Sequence, residues 1–326
     1  MEIYFISRRD LRSGDFRSFR NVGSLYGIIF LLTVCILAGC ASKSADTQAS
    51  EAEVASERII TIGGTITEIV CTLDACDQIV ATDRTSTYPP DMQSLASIGY
   101  RSNIKAEGII AQNPTFILAE EGYMSPDIYT QLESAGIPFH TFENQTTIAS
   151  TFTMIQEIGK VLGREVQAKQ VEAQLKQDLQ KADSLLTKAS TTPKVLFVYA
   201  RGHGTLSICG KETFAEHIIP LAGGTLAVPE IVGYKPLTTE ALIQANPDYI
   251  LFFDSGLESL GGIEGALGIQ GVMQTNAGKN RNIIAMDGLY LSGFDSRVGE
   301  AIYDLALMIH PELQTTPLKP YVVSYN

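Results

Sequence analysis

The chain has 326 residues, 45% of them hydrophobic, and 24 basic against 36 acidic side chains give it a formal charge of −12. That balance excludes a nucleic-acid binder, whose affinity comes from neutralising phosphates with lysine and arginine. An anionic small ligand stays open, because a few cations in a cleft outweigh a diffuse negative field.

The N-terminus reads as an export signal rather than as part of a fold. Arg8, Arg9, Arg12, Arg17 and Arg20 precede an apolar stretch at 22–38 that is too short and too abruptly ended for a membrane span. It closes on Leu37-Ala38-Gly39-Cys40, which resembles a bacterial lipobox, so residues 1–39 are read as a lipoprotein signal peptide and Cys40 as the lipidated first residue. Residues 40–57 carry Ala, Ser, Thr and Glu with almost no large apolar side chain, and are expected to be a flexible tether. Several acyl chains hold such a protein on a membrane durably, which puts the folded part outside the cytoplasm and its partner in the same membrane. Five arginines and three acids leave with residues 1–39, taking the formal charge to −14. Cys71, Cys76 and Cys209 remain; the first two are close enough for a local disulfide, with free buried thiols the alternative, and no cysteine cluster has metal-ligand spacing.

From Arg58 onward short apolar runs alternate with helical stretches, which predicts parallel α/β construction. Strands are expected at 59–62, 78–82, 115–119 and 137–141. Gly63-Gly64 turns the first of them into a helix, where Thr65 and Glu68 have capping-box spacing. A first lobe thus covers 58–146. Residues 147–190 change texture, with apolar residues at helical spacing, no proline, and Gly159 and Gly163 as the only glycines, and predict a helix to about 162 and a longer one over 164–188 that joins two lobes stiffly. A second lobe of the same class occupies 191–326, with strands at 194–199, 249–253 and 282–286 and a helix at 212–221. An internal repeat supports the pairing: EGIIAQNPTFIL at 107–118 and EALIQANPDYIL at 240–251 share six of twelve positions. Each copy reads as a short helix opened by an acid, stopped before Asn-Pro, and followed by a buried strand. Capping accounts for Glu107 and Glu240 in the absence of any other role.

Candidate chemistry lies on loops after predicted strands, where open α/β sheets line their ligand crevice. In Asp83-Arg84-Thr85-Ser86-Thr87-Tyr88-Pro89-Pro90 the prolines hold an extended path that fixes Tyr88. A phenolate suits ferric iron and is an established axial ligand of haem, and Arg84 stands close enough to stabilise it. The glycine-flanked His203 follows the first strand of the second lobe, whereas His140, His217 and His310 fall in apolar or helical contexts and read as structural. Lys235 and Arg297 are candidate partners for carboxylates, and Tyr100-Arg101 offers an aromatic and a cation on the first lobe. There is no GxxxxGK[ST], HExxH, GxSxG or paired-cysteine zinc pattern, and no nucleophile with a visible base.

With these residues in hand, the sequence resembles the haem-binding branch of the periplasmic binding-protein family that serves ABC importers of siderophores, cobalamin and haem. The marks are ERIITIGGTITEIV, RTSTYPP, IGYRSNIKAEGIIAQNP, GYKPLTTEALIQANPDYIL and SGFDSRVGEAI, and they cover 58–310. The resemblance implies two Rossmann-like α/β lobes joined by a long rigid helix, with small hinge motion. It implies ferric haem in the cleft as transported ligand, Tyr88 on the iron, His203 as a second axial contact or a contact to a second haem, and Arg84, Tyr100, Lys235 and Arg297 around the macrocycle. It also implies that Glu107 and Glu240 dock onto arginines of a permease dimer whose ATPase supplies the energy. A siderophore or corrinoid binder is the alternative on the same fold; an enzyme or adhesion lipoprotein is the alternative outside it.

Overall fold

A computed structural model describes residues 57–314, so the signal peptide, Cys40 and the tether up to residue 56 lie outside the described residues. The first lobe is a five-stranded parallel sheet in the order β3-β2-β1-β4-β5, with β1 Ile59–Ile62, β2 Ile79–Thr82, β3 Ala96–Ser97, β4 Phe116–Glu120 and β5 Phe139–Phe142. β1 is buried along its whole length and pairs with β4 from Ile59↔Phe116 to Ile62↔Ala119. Central strands covered by helices on both faces need such unbroken apolar runs.

The covering helices are α1 Gly64–Thr72, α2 Ala106–Ile110 and α3 Pro126–Ser134. The expected capping box on α1 is absent: Gly63 is the N-cap, with no side-chain cap bond. Gly63 has φ +105°, and a Cβ there would lie 2.9 Å from Glu120 Cβ, so only glycine fits. Its N–H donates to Asp83 Oδ1 at 2.9 Å. Thr65 and Glu68 are instead spent on contacts with the second lobe.

Two helices bridge the lobes, α4 Ile148–Val161 and α5 Glu165–Leu186. α4 carries a true capping box between Thr147 and Ser150. α5 has 22 residues, a rod of about 33 Å. The second lobe is a six-stranded sheet in the order β11-β10-β6-β7-β9, with β8 also on β6. Its strands are β6 Lys194–Ala200, β7 Leu206–Cys209, β8 Thr225–Leu226, β9 Tyr234–Pro236, β10 Tyr249–Phe253 and β11 Ile283–Met286. Its helices are α6 Phe214–Leu221, α7 Thr239–Ala245, α8 Asp254–Ser259, α9 Gly262–Leu267, α10 Asn276–Asn280, α11 Gly288–Ser292 and α12 Val298–Ile309. β7 and β9 run antiparallel, which alternation of strand and helix does not foresee.

The repeat has a structural counterpart. α2 and β4 in one lobe occupy the sequence positions of α7 and β10 in the other, and Asn113 (φ +49°) and Asn246 (φ +39°) both take the left-handed conformation that turns helix into strand. Each lobe has its own apolar core, and a third cluster runs through both, from Ile59 and Leu118 by way of Ile155 and Leu175 to Leu305 and Val195. This shared core, with α12 packed along α5, makes the lobe junction a packed solid rather than a linker. Cys71 in the last turn of α1 and Cys76 beyond it form a disulfide; Cys209 is free and buried, its thiol pushed up to about 11 by burial. No described helix is long and apolar enough to cross a membrane.

Candidate functional site

The carboxyl ends of β1, β2, β4, β6 and β10 converge on a cleft between the lobes with a volume of about 1080 Å³. This is the crevice that open α/β sheets offer a ligand, and its size is at the upper end for small-molecule sites. The first-lobe wall presents Arg84, Thr85 and Thr87 from the loop after β2, Tyr100 and Arg101 after β3, Glu120 at the end of β4, and Tyr123. The second-lobe wall presents Tyr199 and Arg201 at the end of β6, Phe214 and His217 on α6, Tyr234 on β9 and Phe253 at the end of β10.

The aromatic side of the cleft is continuous. Phe214 stacks on Phe253 with centroids 5.6 Å apart, Phe197 supports both edge-on at 4.9 and 4.7 Å, and Tyr199 meets Tyr234 and Phe253 at 6.2 and 6.4 Å. Such a wall accepts a flat apolar ring system by stacking and edge contacts. Cations flank it on both lobes. Arg101 donates from Nη2 to Tyr123 Oη at 2.7 Å and lies 4.2 Å from that ring's centroid, and the Arg201 guanidinium lies 5.5 Å from the Tyr199 centroid. Burial, reinforced by the Glu120 charge, pushes the Tyr123 hydroxyl up to about 12, so it stays a neutral phenol. Glu120 itself is pushed up to about 7, chiefly by burial. Among the described residues no cluster of three or more His, Cys, Asp or Glu side chains could hold a metal ion.

Arg84, Tyr100 and Arg101 line the cleft; Tyr88, His203, Lys235 and Arg297 sit elsewhere. His203 is exposed at the turn that carries β6 into β7, where Arg201 N donates to Thr205 O at 3.0 Å. The glycines around it shape a hairpin, and the cleft's imidazole is that of His217, which the sequence reading set aside as structural. Lys235 lies on the exposed edge strand β9, and Tyr234 before it turns to the cleft, because alternate residues of a strand face opposite sides.

Arg297 is not a cleft residue. Its Nε donates to Glu68 Oε1 at 2.6 Å and its Nη2 to Glu68 Oε2, and Glu68 is 1% exposed. The surrounding stretch is a seam between the lobes: Thr65 and Asn144 both donate to Gly293 O at 2.9 Å, and Thr151 to Phe294 O at 2.7 Å. Behind it Asp295 is fully buried, and its carboxyl is held well above the usual range by burial and then by the Glu68 charge. For Arg297, burial opposes the charge, but its bonds to Glu68 outweigh this and raise its pKa.

Tyr88 belongs to the same seam. Its side chain does not line the cleft, although Thr85 and Thr87 before it do; it is 39% exposed, and the Arg297 guanidinium sits 3.7 Å from its ring centroid. Glu120, Tyr123 and His217 are among the cleft residues that the sequence did not single out. Glu120 had a signal available, since it follows directly on the strand expected at 115–119.

Two lobes, a shared spine and a cleft at the strand ends define a two-lobed binding protein that carries its ligand between sheets. The chain belongs to the periplasmic binding protein family, which it matches over residues 59–289. Among solved structures it is similar to the periplasmic heme-binding protein RhuT from Roseiflexus sp. RS-1 in apo form, with a TM-score of 0.76 and 36% identity, over 79% of this chain and all of that one. It is 25% identical over 306 residues to YvrC of Bacillus subtilis (strain 168), an uncharacterized ABC transporter substrate-binding lipoprotein, covering 86% of this chain and 95% of the relative. It is 26% identical over 238 residues to the high-affinity heme uptake system protein IsdE of Staphylococcus aureus (strain Newman), covering 71% and 77%.

Proposed function

We propose that this chain is the substrate-binding lipoprotein of an ABC importer, that it captures ferric haem between its lobes, and that it delivers the haem to a membrane permease dimer driven by its ATPase. The observation that carries the reading is the cleft: about 1080 Å³, walled by stacked aromatic rings, with arginines on both lobes for the ligand's carboxylates. The likeness to RhuT, a periplasmic heme-binding protein, and to IsdE, a heme uptake protein, supports it. YvrC, named a lipoprotein, supports lipid anchoring through Cys40 on the outer face of a membrane.

In this reading Tyr88 coordinates iron. Its ring lies on Arg297, one residue beyond the cleft-lining Thr87, and coordination takes it off Arg297 and into the cleft. Arg84 and Tyr100 contact the macrocycle's rim, and His217 takes the second-contact role first assigned to His203. Glu107 and Glu240 are exposed at the first turns of the equivalent helices α2 and α7 and serve as the docking acids.

An absorption titration with ferric haem tests this. The expected result is a saturable shift to a high-spin, phenolate-type spectrum that Tyr88→Ala abolishes and His203→Ala leaves alone, with the endpoint counting the haems. A shift that survives Tyr88→Ala overturns the ligand assignment. No saturable shift overturns haem and turns the search to ferric siderophores and cobalamin.

A further inference from the structure

Glu120 closes no ion pair among the described residues, although it stands beside Thr65, Asn144 and Arg101. In the repeat its position corresponds to Phe253, and the two residues end the matching strands β4 and β10 at the cleft wall. The second lobe fills that place with an aromatic ring, so the sheet end does not require an acid there. The carboxyl is nonetheless inside: Oε2 is buried and has no hydrogen-bond partner among the described residues. A buried polar atom left unmatched is costly, and such an atom in a ligand cleft points to a partner that arrives with the ligand.

The groups that face Glu120 come from every surrounding element. From α1 there is the Thr65 hydroxyl, already donated to Gly293 O; from the end of β2 there is Asp83, whose oxygens accept from Gly63, Thr85 and Ser86. Beyond β5 there is the Asn144 amide, also on Gly293 O; from the segment after β3 there are Tyr100 and Arg101, and on its own turn Tyr123. Arg101 is the cation of this wall, and it holds Tyr123 rather than closing an ion pair with Glu120. Burial and the Asp83 charge disfavour the carboxylate, while Arg101, Asn144 and Thr65 favour it, and the balance falls at about 7.

We infer that Glu120 and Arg101 form a carboxylate-binding subsite, in which Arg101 takes one oxygen of an incoming carboxylate and Glu120, protonated from solvent, donates its hydrogen to the other. No bond is made or broken except that proton's. The inference rests on the haem reading for the source of the carboxylate, a propionate of the macrocycle. Its consequence is linkage. Below pH 7 Glu120 already carries the proton and binding takes up none; above it, each binding event draws one from solvent, and affinity falls with rising pH by up to about tenfold per unit. Coordination by a phenolate releases a proton and works in the opposite direction, equally with or without Glu120.

The test is ferric haem titration of the full chain at pH 6, 7 and 8, for wild type and Glu120→Gln, whose amide keeps a donor without a titration. The wild type should lose about fivefold in affinity relative to Glu120→Gln between pH 7 and 8. Equal slopes in the two proteins overturn the subsite and leave the haem reading intact; absence of saturable binding at pH 6 overturns both. A second arm needs no variant: calorimetry of the wild type at pH 8 in two buffers of different ionisation heat should show more proton uptake with haem than with its dimethyl ester. Equal uptake for acid and ester overturns the subsite.

Discussion

Arg297 is the cation that keeps two buried acids in one protein. Glu68 comes from the first lobe and Asp295 from the second, both out of reach of water, and Arg297 neutralises the pair while its flat face supports the Tyr88 ring. Arg297→Met removes the charge and leaves Glu68 uncompensated, which for a buried pair costs about 3–5 kcal/mol. The pH dependence follows from Asp295. Its carboxyl titrates well above 3.8 in the folded protein, so the fold holds a proton that the unfolded chain gives up, and stability falls as pH rises through that interval. Without Arg297 the carboxylates repel each other unopposed and protonation relieves them. Urea unfolding should therefore show a larger gap between wild type and Arg297→Met at pH 8 than at pH 5. At this scale the sequence is legible for Arg84, on the loop after a predicted strand, and not for Glu120, whose burial without a partner only the fold brings out. It is illegible for Arg297, whose partner Glu68 lies 229 positions away, and for His203, whose glycines serve a hairpin as well as they would serve a ligand loop.

The helices that hold the cleft open are as constrained as the site. α12 crosses α5 at Gly299, where an added Cβ would come within 2.9 Å of Asp178 Cβ and 3.1 Å of the Leu179 backbone nitrogen. Backbone cannot step aside as a flexible side chain does, so Gly299→Ala pushes the helices apart and should cost about 1–3 kcal/mol. The expected readout is a lower urea midpoint, and a weaker haem endpoint besides, because this crossing also sets the spacing of the two cleft walls. Element by element, the parallel strands and the bridging helices are legible because burial on both faces and a 3.6-residue period leave strong traces. β7 and β9 leave weaker ones: β9 is an exposed three-residue edge strand, and β7 beside it is buried over only half its length. The α1 cap misleads for a different reason: Thr65 and Glu68 have the right spacing, but the other lobe competes for both side chains and wins.

At the scale of the whole molecule, the repeat that organises the cleft also organises the outside. Glu107 and Glu240 stand at matching positions on matching helices, one per lobe, exposed and at the helix N-terminal turn where a negative charge is comfortable. The shared apolar core through α4, α5 and α12 fixes the lobes to each other, so the two acids form a template of constant spacing, suited to a two-fold symmetric permease. Since capping also accounts for each acid, the two roles are separated by what changes when the charge is removed. Replacing both by glutamine should lower stability by less than about 1 kcal/mol and leave the haem titration unchanged, because neither residue lines the cleft. Haem uptake in proteoliposomes carrying the permease should fall at least tenfold. Exposed charges are screened over about 10 Å at 0.1 M salt, so wild-type uptake should also weaken with added salt, while the double variant's residual uptake should not. Uptake by the double variant at the wild-type rate would assign both glutamates to their helices alone.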